Sequence, residues 1–365
     1  MSDNESSVEP LSSLRERIDN LDRQIQSLIT ERAQFARQVG LAKGPLKEAL
    51  EYYRPEREVQ VLRNVIDRND GPLDNAELVR VFREIMSACL AQQNPLRVAY
   101  LGPEGTFSQS AVLRHFGHSV HAVPMVSFEE VFQEVEAGHA DFGVVPVENS
   151  SEGAVNHALD LFLDTPLRIC GEIELRIHQH LLSHATEMSK IERVYSHAQS
   201  LGQCRGWLRE NLPNAERIAV SSNAEAARRA RGAPEAAAIA GDAAAQVYGL
   251  PLVGESIEDN ADNSTRFLVI GKDLFPPTGH DKSSLLLIGG AQPGSLYQLL
   301  DPFARHGINM TRIESRPSRK GKWEYAFFID IEGHIEDDQI QLALADLGPL
   351  APQLRVLGAY PVSLL

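Results

Sequence analysis

Over about the first ninety residues, apolar positions recur at alternating steps of three and four. Leu11, Leu14, Ile18, Leu21, Ile25 and Leu28 form one stripe, which passes through Arg32 and resumes at Phe35 and Val39. That alternation is the period of a coiled-coil seam, and it predicts one long helix from a Ser13–Glu16 capping box to about Lys43. At 1.5 Å per residue such a helix spans roughly 45 Å, too long for so small a unit to cover alone, so the pattern predicts a dimer with intertwined helices. After Pro45, the segment Tyr53-Arg54-Pro55-Glu56-Arg57-Glu58 opens a second helix with Val61, Leu62, Val65 and Ile66 inside. A third, from about Asn75, carries Leu78, Val81, Phe82, Ile85, Met86 and Cys89 and ends near Gln93.

From Leu96 the period changes. The apolar run Val98 to Leu101 breaks at Gly102-Pro103-Glu104-Gly105 and re-enters as a helix, which puts Thr106, Ser108 and free backbone N–H groups at the carboxyl end of a sheet, where anions bind. Strand-like and helix-like segments then alternate to about Lys272, which predicts a mostly parallel sheet. Ser127 and Glu130 form a capping box for a helix that buries Phe128, Val131, Phe132 and Val135. Strands at 142–147, 193–195 and 218–220 end in Glu148-Asn149-Ser150-Ser151, Ser196-His197-Ala198-Gln199-Ser200 and Ser221-Ser222-Asn223. Polar strand ends repeated in this way build a crevice of hydroxyls, amides and backbone donors suited to a small carboxylate. The Ala-rich stretch 224–248 reads as helix with one short strand near Ile239, and Asn263-Ser264-Thr265-Arg266-Phe267 leads into a strand at 268–270. Residues 273–282, with Pro276, Pro277 and Gly279, read as a linker. Beyond it, strands at 284–288, 308–314, 323–331 and 354–360 and helices at 295–305 and 336–347 give the order βαββαβ, a ferredoxin-like α+β arrangement. The chain therefore divides into 1–94, 96–272 and 283–365.

A length of 365 residues suits two or three domains, and 43% hydrophobic content is ample for packed cores. The net charge of -15 argues against nucleic acid and membrane surfaces as partners, and predicts that an anionic ligand is held by local arginines or lysines. Arg32 is such a cation: it occupies a seam position, where a guanidinium is costly unless it meets a carboxylate. Lys43, three turns on, shares its face, whereas Arg15 lies about 25 Å away along the axis and can serve only a partner's pocket. Cys89, Cys170 and Cys204 show no CxxC spacing and read as free thiols in a reducing cytosol. The first residues, MSDNESSVEP, lack a secretory pattern, and no apolar run approaches the roughly 20 residues that span a bilayer. A cytoplasmic location is expected.

The order LRERID, TERAQFARQVGLAK, RPERE and a final Gln resembles the all-helical chorismate mutase family. The resemblance implies a pericyclic rearrangement of chorismate to prephenate without nucleophile or cofactor, in which cations hold a dianion and a donor meets the breaking ether oxygen. On that resemblance Arg15 (from the other subunit), Arg32 and Arg57 hold carboxylates, Lys43 and Gln93 donate to the ether oxygen, and Glu58 binds the ring hydroxyl. The sequence departs from the family at Arg54, where an acidic residue is common, and at Cys89, in the place of a substrate-binding serine. Farther on, GPEGTFS, VPVENS, YSHAQ and NSTRF together resemble prephenate dehydratase. This implies two α/β lobes around a cleft, similar to periplasmic-type binding proteins, and loss of carbon dioxide and hydroxide from prephenate to give phenylpyruvate. Thr265 would then protonate the departing hydroxyl and Arg266 anchor a carboxylate, with Asn149, Gln199, Thr106 and Ser108 assisting. His197 competes with Thr265 as proton donor, because imidazole titrates near neutrality. The segments Gly294-Ser295-Leu296 and Glu314-Ser315-Arg316-Pro317 resemble the ACT regulatory domain, which implies phenylalanine bound between paired domains. A homodimer is expected, with pairing of dimers into tetramers left open.

Two rival readings remain open. A non-enzymatic sensor with a helical dimerisation arm accounts for the polar strand ends, but it would place an apolar residue at Arg32. A fused prephenate dehydrogenase calls for a GxGxxG fingerprint, which the sequence lacks.

Overall fold

The computed structural model describes residues 9–43, 53–289, 292–318 and 324–363, with only the backbone of Lys43. Three helices come first: α1 (Leu11–Lys43), α2 (Pro55–Asp67) and α3 (Asn75–Ala91). Helix α1 starts two residues ahead of the predicted cap. Ser13 lies inside its first turn and donates to Glu9 Oε1 at 2.6 Å instead of closing a box with Glu16. Pro55 stands at the start of α2, where its missing N–H costs nothing, and Asp74 caps α3 by accepting from the Glu77 N–H. The apolar stripe of α1 is uncovered in the single chain, with Leu11 63%, Ile25 53%, Leu28 64% and Phe35 57% exposed. Tyr53 anchors the helices to the α/β region, its ring packed against Phe116 and Phe142 at 5.4 and 5.3 Å.

The next region forms two lobes. The first contains β1 (Arg97–Leu101), α4 (Phe107–Phe116), β2 (His121–Met125), α5 (Phe128–Ala137), β3 (Phe142–Asn149), β4 (Gly153–Ala154), α6 (Asn156–Leu161) and β5 (Arg168–Arg176). The second contains β6 (His180–Leu182), β7 (Arg193–His197), α7 (Ala198–Gln203), α8 (Arg205–Asn211), β8 (Glu216–Val220), α9 (Asn223–Ala230), β9 (Ala236–Ala240), α10 (Asp242–Tyr248) and β10 (Leu252–Gly254). The chain then returns to the first lobe as β11 (Ser264–Gly271). Because β5 leaves the lobe and β11 re-enters beside it, the two run antiparallel, and β11 is antiparallel to β3 as well. The sheet is therefore mixed rather than mostly parallel, although β1 is parallel to both β2 and β3. In the second lobe β7 is parallel to β8 and β9, while β6 is antiparallel to β9 and β10. The capping box at α5 is present in altered form: Ser127 accepts from Glu130 N–H, and Glu130 reaches back to Val126 N–H at 3.0 Å.

The last region has the expected order: β12 (Asp281–Ile288), α11 (Ser295–Arg305), β13 (Met310–Pro317), β14 (Tyr325–Glu332), α12 (Asp338–Leu347) and β15 (Gln353–Pro361). Trp323, expected to open a strand, lies outside the described residues. Strand β15 meets β5, so this sheet continues that of the first lobe in the order β13-β14-β12-β15-β5-β11-β3-β1-β2. The strands touch where Gly358 faces Ile169, and a Cβ at Gly358 would collide with the Ile169 carbonyl. The connection before β12 is packed rather than loose: Phe275 is buried, its carbonyl lies 2.9 Å from His334 Nε2, and Arg63 of α2 donates to the Thr278 carbonyl at 2.8 Å.

Candidate active sites

Two cavities take most of the polar residues singled out above. The first, about 280 Å³, lies among the helices and is lined by Arg32, Arg54, Arg57, Glu58, Cys89 and Gln93. Arg83 joins them, with Nε 3.5 Å from Glu58 Oε1. Burial pushes the Glu58 carboxyl up from its ordinary range, against the pull of Arg83 and of a hydrogen bond from Tyr53. Arg83 was not foreseen, yet its signal is the one that marked Arg32. It is the one charged residue on the stripe Val79, Arg83, Met86, Leu90 and Gln93, spaced by four, three, four and three. Arg15 does not line this cavity, and the Lys43 side chain is outside the described atoms.

The second cavity, about 460 Å³, opens between the two α/β lobes. The first lobe supplies Thr106, Ser108, Asn149, Asn263 and Thr265; the second supplies Gln179, His197, Gln199, Ser200 and Asn223. These positions follow from local structure. Strand β1 delivers Thr106 as the N-cap of α4, strand β7 delivers His197 at the start of α7, and β8 leads to Ser222, the N-cap of α9. Helix N-termini, with their unpaired N–H groups, thus face one another across the cleft. Asn149 and Thr265 are paired across β3 and β11, and Asn149 Nδ2 donates to Thr265 Oγ1 at 2.9 Å. Since the Thr265 oxygen accepts there, its own proton is left to point elsewhere. On the other side Asn223 accepts from Ser196 and Ser200 hydroxyls at 3.1 Å each and donates to Gln179 Oε1 at 3.3 Å. Gln179 and Asn263 were not foreseen as site residues: single amides on crossing segments carry no periodicity that marks them. His197 is exposed at the rim, and its Nδ1 accepts from Gln199 N–H at 3.4 Å.

No arginine or lysine lines this second cavity among the described residues. The local cations expected for an anionic ligand are replaced by neutral donors and helix ends. The structure does not bring Arg266 to the cleft. Successive strand residues point to opposite faces, so Thr265 faces the cavity and Arg266 faces away. The Arg266 guanidinium donates to Asp330 Oδ2 at 2.7 Å, Glu172 Oε2 at 3.1 Å and Tyr360 Oη at 3.2 Å, joining β11 to the last domain. Burial works against its charge, but Tyr360, Asp330 and Glu172 outweigh it and hold the pKa above the ordinary arginine value. Lys282 completes the cluster on Glu172 at 2.7 Å. In the last domain, Gly294 takes φ +80° at the start of α11, beside Ser295 and the exposed Leu296. Glu314, Ser315 and Arg316 lie on the edge strand β13, and Arg316 forms a two-pronged pair with Asp160 of α6.

A cation-lined helical pocket, a donor-lined cleft between two α/β lobes and a ferredoxin-like domain fused to the cleft's sheet define a multidomain protein with two separate candidate active sites. Profiles of chorismate mutase type II, prephenate dehydratase and the ACT domain match residues 14–94, 98–274 and 284–349. The bifunctional chorismate mutase/prephenate dehydratase of Stutzerimonas stutzeri is 57% identical over 364 residues, covering 99% of this chain and 100% of that protein. This chain belongs to the bifunctional chorismate mutase/prephenate dehydratase family. Among solved structures, a prephenate dehydratase from Arthrobacter aurescens in complex with L-Phe matches with a TM-score of 0.68 and 36% identity, over 73% of this chain and 90% of that one. GqqA, described as a novel type of quorum-quenching acylase, reaches the same TM-score at 30% identity, over 73% of this chain and 98% of that one. Fold alone therefore does not decide the chemistry; the match along the whole chain does.

Proposed function

We propose that the helical pocket rearranges chorismate and that the cleft converts the resulting prephenate to phenylpyruvate through Thr265. Arg32, Arg57 and Arg83 hold carboxylates in the first site, Lys43 and Gln93 donate to the breaking ether bond, and Glu58 takes the ring hydroxyl. Arg15 enters from a second copy, whose α1 covers the exposed stripe of the first, so the working unit is a homodimer. In the cleft, one carboxylate of prephenate leaves as carbon dioxide, its electron pair enters the ring, and the ring hydroxyl departs with the proton that Thr265 donates. Asn149 orients that hydroxyl, Gln199 and Ser108 bind the side-chain carboxylate, and Thr106 holds the turn of α4. Phenylalanine is the effector, bound by the segments 294–296 and 314–316 of paired last domains. The three buried free cysteines suit a cytoplasmic location.

The observation that carries this reading is the 2.9 Å contact from Asn149 Nδ2 to Thr265 Oγ1, which leaves the threonine proton for a ligand. The test is phenylpyruvate formation from chorismate and, separately, from prephenate. Arg32→Ala should abolish only the chorismate route. Thr265→Ala should lower the rate from both substrates by about 100-fold or more while chorismate consumption persists. Full phenylpyruvate formation by Thr265→Ala would sink the threonine assignment.

A further inference from the structure

Asn263 precedes Thr265 by two residues and faces the same cleft, and its side-chain orientation is fixed by its neighbours. The Ser151 N–H donates to Asn149 Oδ1 at 3.0 Å, so the Asn149 amide nitrogen must point the other way. That nitrogen meets Asn263 at 2.9 Å and Thr265 Oγ1 at 2.9 Å. A donor requires an acceptor, so Asn263 turns its Oδ1 to Asn149, and the Ser151 hydroxyl donates to the same oxygen at 3.4 Å. The Asn263 Nδ2 group is left buried with no acceptor among the described residues, in a residue only 1% exposed that lines the cleft. Buried donors without acceptors are rare in folded proteins, because only an acceptor repays their desolvation.

We propose that Asn263 is a further substrate-binding residue of the cleft, whose Nδ2 donates to an oxygen of the bound dicarboxylate. The proposal rests on reading the cleft as the prephenate site. One side chain then serves twice: its oxygen holds Asn149 against Thr265, and its nitrogen meets the ligand beside the proton donor.

Asn263→Asp separates the two roles, since a carboxylate still accepts from Asn149 but presents an anion to an anionic ligand. With the full-length protein at pH 8, kcat/KM for prephenate should fall about 10- to 100-fold, chiefly through KM, while chorismate mutase activity holds. The deficit should shrink as pH is lowered, because a protonated carboxyl donates again; a packing role predicts no such recovery. Asn263→Ala removes the donor without adding charge, but also the acceptor for Asn149; if the aspartate variant does not fold it decides the matter through KM, which should rise about tenfold or more, since a lost hold on Asn149 and Thr265 acts on kcat. A folded variant whose KM and kcat for prephenate stay within about twofold of the parent overturns the proposal. Thr265→Ala, measured beside it, separates the failures: if that variant is also fully active, the reading of the cleft fails; if it is inactive, only the role of Asn263 does.

Discussion

On the assignment proposed above, the helical pocket and the interlobe cleft take ligands of the same kind, small dicarboxylates, and are lined in opposite ways. Arg32, Arg54, Arg57 and Arg83 surround the first, whereas the second is lined by amides, hydroxyls and helix N-termini. The difference comes from where charge moves. In the rearrangement both carboxylates keep their charge, so guanidinium groups that grip them can hold the compact transition state throughout. In the dehydration one carboxylate loses its charge as carbon dioxide leaves. A guanidinium clamped on that group would stabilise the starting state more than the transition state and slow the reaction. Neutral donors retain the ligand without that penalty. The charge of a ligand does not dictate the charge of its site; the charge that moves does.

Arg266 gives the strongest way to break this comparison. If it served the cleft, Arg266→Met would raise KM for prephenate and leave stability alone. The buried cluster with Asp330, Glu172 and Lys282 predicts the reverse: a loss of about 3–5 kcal/mol in denaturant unfolding, because Asp330 and Glu172 are left with one cation between them, and KM changed little in whatever fraction stays folded. Acid should act where the helices meet the first lobe. His115, beside Tyr53 and under the charge of Arg83, is pushed down by burial to about 3. The unfolded chain takes up that proton below about pH 6.5 and the folded chain does not, so stability is complete above 6.5 and is lost as pH falls toward 3. The slope from this residue is at most about 1.4 kcal/mol per pH unit, less where the ring edge meets solvent, and His115→Phe should flatten it in urea titrations. Salt should separate the sites by a smaller margin. Raising ionic strength from about 0.05 to 0.5 M should weaken chorismate binding several-fold and change KM for prephenate by less than about twofold. Equal salt dependence would mean that cations serve both sites.

Much of the fold was legible because period and punctuation are local. The three helices, the strand-turn-helix at Gly102–Phe107 and the βαββαβ order of the last domain all arise from spacing and caps. Within the sites, Arg32, Arg57, Glu58 and Gln93 do line one cavity, and Thr106, Ser108, Asn149, Gln199 and Thr265 the other. What could not be read were residues whose role depends on which face or which distant segment they meet. Arg266 looks as suited to a carboxylate as Thr265 does to a proton, and only the pleat of β11 sends them to opposite sides. Gln179 and Asn263 lie on segments that cross between lobes, where no repeat singles out one amide from another.

By itself the sequence determined the modules, their order and the chemical types available to each site, since propensity, capping and hydrophobic period act over a few residues along the chain. The tertiary structure decided the antiparallel return of β11, the fusion of the last domain's sheet to the cleft, the turning of Arg266 away from the ligand and the pairing of Asn149 with Thr265. Each of these joins residues far apart along the chain, from 64 positions for Arg266 and Asp330 to 116 for Asn149 and Thr265 and more for Gly358 and Ile169, and such contacts are set by packing and hydrogen-bond satisfaction in three dimensions, which no local pattern encodes.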